Sequence, residues 1–519
     1  MLKVGSVGIH DNFFALGGHS LLAVQVMSRL RKVFQVDMPL RVLFDAPTVA
    51  GLARHVEEVR RAVQSLPASP LKTVVREGAV PLTMTQEHLW GLDRLLPGAP
   101  FSNMPYAVRL TGTLNVTALE QSFNEIIKRH EALRTTFTTV AGQPAQVIAP
   151  TLRLPLPVED LRALPQVERE ATAQRLIRAE ALYFFDLENG PLCQVRLLQL
   201  REQEHILLLT MHHIISDGWS WGVLLHELTV LYEAFSQSHA SPLPDLPVQY
   251  ADYAHWQRQW LHSEAGKAQL AYWERQLHAP LPILELPTDR PPPTELSLHT
   301  ARQTFQLPKE LTTALTRLSQ QEDTTLFMTL MAALKVLLYS YTGQEDIRVG
   351  TLVANRQYQD TEGLIGLFAN LVILRTHLGG NPSLRQVLRR VRATTLDTYA
   401  HQELPFEYLA RMIVRTCQVD RQALFQVMFA MQNARQYTLE LPALTIQALE
   451  TQAAGVSACD LAISIRNSPQ GIEGLCTYKM ILFDATTIIR ILEDYRLILE
   501  HLVAQPELQL SILRVRRGG

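Results

Sequence analysis

An apolar segment that ends in two adjacent histidines is the feature that most constrains this chain. The segment LLLTMHHIISDGWSWGVLLHEL runs from Leu207 to Leu228. Its almost unbroken apolar residues predict a buried strand over residues 206–214. Asp217 and Gly218 then give a turn signal before an amphipathic helix over 220–235. Polar residues therefore separate a buried strand from a helix, and either chemistry or helix capping explains their presence.

The two histidines differ in the side of the strand that they face. Successive side chains of a strand point to opposite faces, so we expect only one of His212 and His213 to do chemistry. The same geometry disfavours a metal triad of the two histidines with Asp217. Local evidence leaves a structural alternative open, in which both histidines are buried and hydrogen-bonded and Asp217 merely caps the helix.

Composition limits the classes of protein to which the chain can belong. Its 519 residues, 47% hydrophobic and 19% charged, predict a globular protein of about three units of ~150 residues each. A net charge of −2, with acidic and basic residues interspersed, gives no electrostatic footprint for nucleic acid. We expect a cytoplasmic protein without a signal segment or membrane span, because Lys335 interrupts the longest apolar helical pattern. The four cysteines are far apart and form no CxxC pair, which fits a reducing compartment and argues against a zinc site: Cys193, Cys417, Cys459 and Cys476.

Two shifts in composition divide the chain. A charged stretch followed by prolines and small residues predicts a linker over 59–79, after a compact helical unit over 1–58. Strands and helices then alternate irregularly, and the prolines of Glu285–Ser297 interrupt them. We therefore expect two α/β lobes, over 80–262 and 263–519.

The helical unit has recognisable helix signals. Apolar residues recur at spacings of three and four from Ser20, which predicts a helix that ends near Gln35. A short helix is expected around Leu40–Phe44, and another from Thr48.

A glycine pair and a serine stand at the start of the first predicted helix. Gly17 and Gly18 predict a turn, and Ser20 is of a residue type favoured at a helix N-cap. The whole string DNFFALGGHSLLAVQ, however, resembles the modification site of a peptidyl carrier domain of nonribosomal peptide synthetases, and the resemblance continues to about Val56. It implies that Ser20 carries a covalent 4′-phosphopantetheine arm. Such domains usually have one more helix before this point, so the resemblance implies a carrier truncated at its N-terminus.

The histidine segment resembles a second domain of the same synthetases. Its string MHHIISDGWS matches the core motif HHxxxDG of condensation domains. Five further stretches resemble the other motifs of that family in the family's order: TMTQEHLW (83–90), RHEALRTTF (129–137), YADYAHW (250–256), IGLFANLVILRT (365–376) and HQELPFE (401–407). Together they cover nearly all of residues 80–510.

The resemblance implies an α/β (α+β) fold with two lobes of the chloramphenicol-acetyltransferase type, forming a V around a tunnel, after a small all-α carrier bundle. It implies aminolysis of a carrier-bound donor peptidyl thioester by the amine of a carrier-bound acceptor aminoacyl thioester. His213 is then the base or the group that orients the amine, since imidazole titrates near neutral pH. The resemblance also implies that Asp217 pairs with an arginine, which we assign to Arg134, and that this pair holds the histidine loop. His212 is then structural, and Gly218 lets the backbone turn close to the reacting carbonyl.

The same resemblance implies the partners. They are upstream and downstream carrier and adenylation domains, a phosphopantetheinyl transferase, and aminoacyl and peptidyl thioester substrates, with no nucleic acid and no membrane. The sequence contains no adenylation unit, so we expect this chain neither to use ATP nor to select an amino acid.

Three rival functions share the fold in this family. An epimerisation domain needs a glutamate in an EGHGRE-like motif, and a heterocyclisation domain has DxxxxD in place of the histidine motif; neither string occurs here. A noncatalytic recruitment module typically has a damaged histidine motif, whereas this one is intact. Two departures remain. His88 stands where arginine is usual, which implies altered electrostatics or acceptor preference, and Cys417 and Gln418 replace a common Arg-Asp pair.

Overall fold

The computed structural model describes most of the chain. The residues it describes are 2, 4–36, 38–62, 71–76, 79–96, 102–291, 299–417, 420–432, 439–451 and 459–513. Parts of the predicted linker and of the proline-rich break at Glu285–Ser297 lie outside these residues, as does Gln418, one of the two residues that replace the common Arg-Asp pair.

A small helical unit forms the first part of the chain. Its helices are α1 (Ser20–Phe34), α2 (Arg41–Asp45) and α3 (Val49–Ala62). Buried apolar side chains of Phe13, Ala23 and Leu43 are part of its core. The three predicted helices are confirmed, but the predicted linker start at residue 59 falls inside α3. The helix continues there because the charged residues that suggest a linker are also good helix formers.

Two larger α/β units follow. The elements of the first are β1 (Val80–Pro81), α4 (Met84–Leu95), β2 (Asn103–Gly112), α5 (Val116–Arg129), β3 (Thr135–Val140), β4 (Gln143–Ile148), β5 (Val158–Asp160), α6 (Gln166–Ala181), β6 (Cys193–Arg201), β7 (Glu204–His212), α7 (Gly218–Ser236), α8 (Tyr250–Leu261) and α9 (Glu264–Gln276). The elements that follow in the chain are β8 (Thr300–Pro308), α10 (Lys309–Gln321), α11 (Leu326–Thr342), β9 (Asp346–Val353), α12 (Gln359–Glu362), β10 (Asn370–His377), α13 (Leu384–Tyr399), α14 (Phe406–Cys417), β11 (Val427–Met431), β12 (Leu444–Leu449), β13 (Leu461–Ser468), β14 (Gly471–Lys479) and α15 (Ala485–Ala504). All of them except β12 belong to the second unit.

Each α/β unit is built on one large mixed sheet. Within the described residues, the first has the strand order β12-β2-β7-β6-β5 and the second the order β10-β9-β11-β13-β14-β8. A small sheet of order β1-β4-β3 accompanies the first. β7 is a central strand whose residues from His205 to His212 are all buried, which explains its almost unbroken apolar sequence.

One strand of the predicted second lobe belongs to the first sheet. β12 pairs antiparallel with β2, from Leu444 opposite Gly112 to Leu449 opposite Ala107. The nearby Leu441 is buried in the core of the first unit. The prediction that residues 263–519 form one lobe is therefore corrected for this segment. It crosses because β2 offers unpaired backbone groups on that side, and a strand from elsewhere in the chain satisfies them.

A lysine lies in the middle of α11, which packs against α13 and α15. Lys335 is fully buried, and its Nζ lies 3.2 Å from Ile347 O, 2.5 Å from Leu374 O and 2.8 Å from Thr376 Oγ1. Burial lowers the pKa of Lys335 to about 7. The residue that interrupts the apolar pattern thus ties α11 to β9 and β10.

No single helix among the described residues is long and apolar enough to cross a membrane. α10 and α11 meet that criterion only as a pair, with an angle of 103° between them.

The depressed pKa of Lys335 predicts a pH-dependent contribution to stability. Between pH of about 7 and 10.5 the unfolded lysine binds a proton that the folded one does not, so raising the pH across this window favours the folded state. We expect the urea midpoint of the parent protein, relative to that of Lys335→Met, to rise from pH 7 to pH 9.5. Lys128→Met is the control, because the side chain of Lys128 is 75% exposed. A midpoint difference that does not change with pH contradicts the prediction.

Candidate active site

The histidine motif lies where β7 gives way to α7. β7 ends at His212, His213–Ile215 form one 3₁₀ turn, and Asp217 is the N-cap of α7. The strand has the predicted length of nine residues but begins and ends two residues earlier than predicted, so His213 is a turn residue. The Ser220 N–H and the Ser220 hydroxyl both donate to Asp217 Oδ1, each over 2.8 Å. These bonds cap the first turn of α7, so the chain leaves the sheet at this point.

His212 has the features of a structural histidine. It is 5% exposed, and its Nδ1 accepts a hydrogen bond from the Ile214 N–H at 3.1 Å. Burial, with a smaller contribution from the neighbouring His213, lowers the pKa of His212 to about 3. Its imidazole is therefore neutral near pH 7 and fixes the shape of the turn.

His213 is half-buried, and its ring is held in one orientation. Its Nδ1 lies 2.7 Å from the carbonyl oxygen of Ser216. Because a carbonyl only accepts, Nδ1 carries the proton in this bond, and Nε2 is the nitrogen with a lone pair in the neutral ring. Ser216 is fully buried and its hydroxyl donates to His212 O at 3.2 Å. The turn thus fixes the tautomer of His213 through its own backbone.

Asp217 joins the two α/β units. Its Oδ2 accepts from the backbone N–H groups of Phe368 at 3.0 Å and Ala369 at 3.1 Å, in the segment before β10. The Ser220 hydroxyl, which Asp217 holds, lies 2.9 Å from Gly366 O in the same segment. One buried carboxylate therefore fastens the histidine turn of the first unit to the IGLFAN motif of the second.

The partner of Asp217 is Arg356 and not Arg134, which corrects the predicted pair. Arg356 Nη2 lies 3.2 Å from Asp217 Oδ1, and both side chains are 1% exposed. Arg134 instead donates to Ala149 O and lies 3.9 Å from Glu131. Arg134 belongs to a neighbouring motif in sequence, whereas Arg356 reaches Asp217 only through tertiary folding.

Arg356 is held tightly in place. Its guanidinium lies 4.1 Å from the centre of the Phe368 ring and 5.6 Å from that of Trp219. It also donates to the carbonyls of Thr361 and Leu364. Burial lowers the pKa of Arg356, and the nearby Asp217 partly offsets this decrease. Because buried charges are costly unless they are paired, the two groups depend on each other.

Gly218 has open space beside it. It is exposed, its φ lies outside the left-handed region, and a Cβ atom built there meets nothing within 4 Å. The turn therefore does not require glycine for its own backbone. A close approach to a substrate carbonyl stays a prediction.

Three of the other motifs converge on the histidine turn. Gln86 of α4 donates to Ile214 O at 3.1 Å. The hydroxyls of Thr83 and Tyr250 lie 3.2 Å apart, and Tyr250 donates to Leu367 O at 2.6 Å. His130 links the second motif to the same segment, since its Nδ1 accepts from the Ile365 N–H at 3.3 Å. Stretches far apart in sequence thus form one hydrogen-bonded unit around the turn.

His88, which stands where arginine is usual, contacts the HQELPFE motif. Its Nδ1 lies 3.5 Å from Glu407 Oε2, and Arg421 lies 2.8 Å from the same carboxylate. Burial lowers the pKa of His88, and Glu407 opposes that decrease. His88 therefore links α4 to α14, and the charge of this contact depends on the protonation of the imidazole.

Ser20 is the first residue of α1, and His19 rather than Ser20 is the N-cap. Gly18 is tightly packed, since a Cβ there would lie 2.4 Å from the Phe13 ring. The Ser20 hydroxyl therefore lies at a helix N-terminus, where free N–H groups favour a phosphate, and it fits as an attachment point for a phosphopantetheine arm. Its Oγ is buried in this structure.

Within the described residues, no three or more His, Cys, Asp or Glu side chains are grouped so as to hold a metal ion.

Comparison with known proteins identifies the class. The Condensation domain family matches residues 76–515, and the chain therefore belongs to the condensation-domain family. The Phosphopantetheine attachment site family matches residues 1–56, ahead of it. A carrier domain that precedes a condensation domain is the arrangement found in nonribosomal peptide synthetases.

The relatives agree with this order of domains. The chain is 44% identical over 514 residues to a linear gramicidin synthase protein of Brevibacillus parabrevis, covering 99% of this chain and 7% of that synthase. It is 41% identical over 493 residues to malpibaldin synthetase of Mortierella alpina, covering 94% of this chain and 9% of that synthetase. The chain thus spans less than a tenth of the length of these two relatives.

A solved structure supports the fold. The X-domain from teicoplanin biosynthesis matches with a TM-score of 0.77 and 27% identity, over 86% of this chain and all of that domain. The same X-domain in complex with OxyB matches with a TM-score of 0.76. The predicted class is confirmed: a two-lobed condensation domain after a carrier, of the type that forms amide bonds in peptide synthesis.

The Asp217–Arg356 pair predicts a specific pattern of stability. Asp217→Asn leaves a buried guanidinium poorly compensated and is expected to lower the free energy of unfolding by about 3–5 kcal/mol. A double-mutant cycle of Asp217→Asn with Arg356→Met, measured by urea unfolding, is expected to give a coupling energy above about 1 kcal/mol. Arg134→Ala is the matched control, and its effect should add to that of Asp217→Asn. Equal coupling to both arginines contradicts the assignment.

Proposed function

We propose that this chain catalyses aminolysis between two carrier-bound thioesters, with the donor acyl group held on its own carrier. The acceptor is an aminoacyl group on a downstream carrier. The observation that carries the proposal is the intact histidine turn, in which Ser216 O fixes the tautomer of His213 and Asp217 fastens the turn to the second lobe. A phosphopantetheine arm supplies the thioester that is attacked.

The step requires that the acceptor amine be aligned with the donor carbonyl and that the proton of the attacking amine be accepted or held. The acceptor amine forms a C–N bond to the donor carbonyl, the C–S bond of the donor thioester breaks, and the donor thiol leaves. A thioester is already activated, so no covalent acyl-enzyme is needed. His213 Nε2 accepts the proton of the attacking amine or holds the amine by a hydrogen bond. Because Nδ1 is already bonded to Ser216 O, the ring presents Nε2 without tautomer exchange.

The surrounding residues act on the position of His213. His212 stays neutral and shapes the turn, while Asp217 and Arg356 hold that turn against the second lobe. Gly218 leaves open space next to the turn, and we assign that space to the reacting carbonyl of the substrate. We therefore assign proton management to His213 and positioning roles to His212, Asp217 and Arg356.

The partners follow from this role. We propose that upstream and downstream carrier and adenylation domains of a longer synthetase supply the two loaded thioesters. A phosphopantetheinyl transferase adds the arm to Ser20.

A recruitment module is the second candidate, because the X-domain of teicoplanin biosynthesis has been solved in complex with another protein, OxyB. An epimerisation domain shares the fold and a preceding carrier. Product analysis distinguishes all three. Condensation lengthens the acceptor, epimerisation exchanges the α-hydrogen of the donor without changing its carrier, and a recruitment module gives neither product.

The attachment site is tested by mass spectrometry. With coenzyme A and a broad-specificity transferase, we expect the chain to gain the mass of one phosphopantetheine and Ser20→Ala to gain none. Ser28→Ala, another serine of α1, is the control and should be modified normally. Label that persists on Ser20→Ala overturns the assignment of Ser20.

The role of His213 is tested by single-turnover transfer. The donor is loaded on the Ser20 arm and the acceptor on a separate carrier. The two proteins are mixed, the reaction is quenched at set times, and each carrier is analysed by intact-protein mass spectrometry. We expect the longer chain on the acceptor, and His213→Ala to slow its formation by roughly 10²–10⁴-fold if imidazole acts as general base.

His212→Ala is the matched control for His213→Ala. It should act mainly by lowering the unfolding midpoint, since His212 is buried and neutral. A loss at His213 of well under 100-fold favours positioning of the amine over proton transfer. If several loaded pairs give no longer product with the parent protein while a partner protein binds tightly, the recruitment function replaces this proposal.

A further inference from the structure

The carrier is seated on the second lobe by charged contacts. Lys32 Nζ of α1 lies 2.9 Å from Asp360 Oδ1 of α12. Asp45 Oδ1 at the end of α2 lies 3.1 Å from Arg392 Nη2 of α13. The guanidinium of Arg31 lies 5.6 Å from the centre of the Tyr358 ring. Two of the carrier's three helices thus contact one face of the second lobe.

This seating covers the start of α1. Ser20 Oγ and His19 Nδ1 are both buried. The Ser20 hydroxyl lies close enough to the Tyr399 phenol to lower the pKa of that phenol, against the larger rise that burial causes. Tyr399 is the last residue of α13, the same helix that carries Arg392. The Ser20 hydroxyl is therefore covered where the start of α1 meets Tyr399 of the second lobe. The ion pairs lie farther away, since Lys32 is in the last turn of α1 and Ser20 is its first residue.

We propose that the seated carrier is closed to the phosphopantetheinyl transferase, so that the arm is added only after the carrier leaves this face. The inference rests on the proposed attachment at Ser20. The interface between the carrier and the second lobe thus controls when the phosphopantetheine arm is added, and we call this control the gate.

The chemistry of attachment requires the serine to be open. Ser20 Oγ must attack the phosphorus of coenzyme A that bears the pantetheine. An O–P bond forms there, the pyrophosphate bond breaks, and adenosine 3′,5′-bisphosphate leaves, while the hydroxyl proton passes to a base of the transferase. The nucleophile and the leaving group lie roughly in line in phosphoryl transfer. A side chain packed over Oγ blocks that approach.

The two ion pairs favour the state in which the carrier contacts the second lobe, but they are weak enough for the carrier to leave it. The four charged side chains of the two ion pairs are between 15% and 54% exposed. Exposed pairs of this kind shift an equilibrium by a factor of about 1.4 to 5 each. A transferase that acts only on the released carrier therefore works at a rate proportional to the released fraction.

The test changes only the face of the second lobe, so that the carrier surface offered to the transferase is untouched. Asp360→Lys with Arg392→Glu turns both ion pairs into repulsive contacts. We expect this double variant to gain the phosphopantetheine mass about 3- to 10-fold faster than the parent chain, at equal transferase and coenzyme A concentrations.

The controls separate release from other effects. Asp160→Lys with Arg162→Glu makes the same two types of substitution on the first lobe, where they exchange the charges of one ion pair of 2.8 Å, and its rate should equal that of the parent. Adding Lys32→Glu to Asp360→Lys restores one attractive pair and should slow attachment again relative to Asp360→Lys alone. Near 1 M salt the rates of parent and double variant should move closer together, because salt weakens both attraction and repulsion between partly exposed charges.

The outcomes are distinguishable. Equal rates for parent and double variant, with the label mapped to Ser20 by peptide analysis, overturn the gate and leave the proposed attachment intact. A label mapped elsewhere overturns the attachment itself. If the double variant has a lowered melting midpoint, Arg392→Gln is measured instead. A rate for that milder variant equal to the parent's overturns the gate in the same way.

Discussion

The arrangement of this protein depends on one buried carboxylate. Asp217 caps α7, receives two backbone N–H groups from the segment before β10, and pairs with Arg356, all in an environment that is 1% exposed. A charge in such a place is stable only when several donors surround it. Because the donors come from both lobes, the carboxylate fixes the position of the lobes and of the histidine turn together. The orientation of His213 is therefore a consequence of how the two lobes meet.

The connection between β9 and β10 has contacts on two sides. Arg356, Gly366 and Phe368 contact the histidine turn. Asp360, in the same connection, holds the carrier through Lys32. A short stretch of chain thus touches both the site of the proposed chemistry and the carrier domain. The carrier contact and the contacts that support the turn therefore lie within one connection of the second lobe.

Much of the site could be predicted from the sequence, and the failures are specific. The order of motifs locates the histidine turn, and Asp217 is the N-cap that the turn signal allows. The predicted Arg134 pair is wrong because a motif that is near in sequence order need not be near in space. Nothing local marks Arg356, which lies 139 residues from Asp217. Strand β12 likewise pairs with β2 of the first sheet, although its neighbours in sequence belong to the second lobe.

The sequence by itself determined the elements and the family, because hydrophobic period, capping residues and motif spacing are local properties. It located Ser20 at a helix start and the histidines at a strand end. Only the tertiary structure decided which arginine compensates Asp217, that Lys335 is buried with three acceptors, and that Ser20 lies under Tyr399. Those facts depend on which distant surfaces pack together. That packing is decided by the burial of apolar area and the pairing of buried charges over the whole chain, which no local pattern contains.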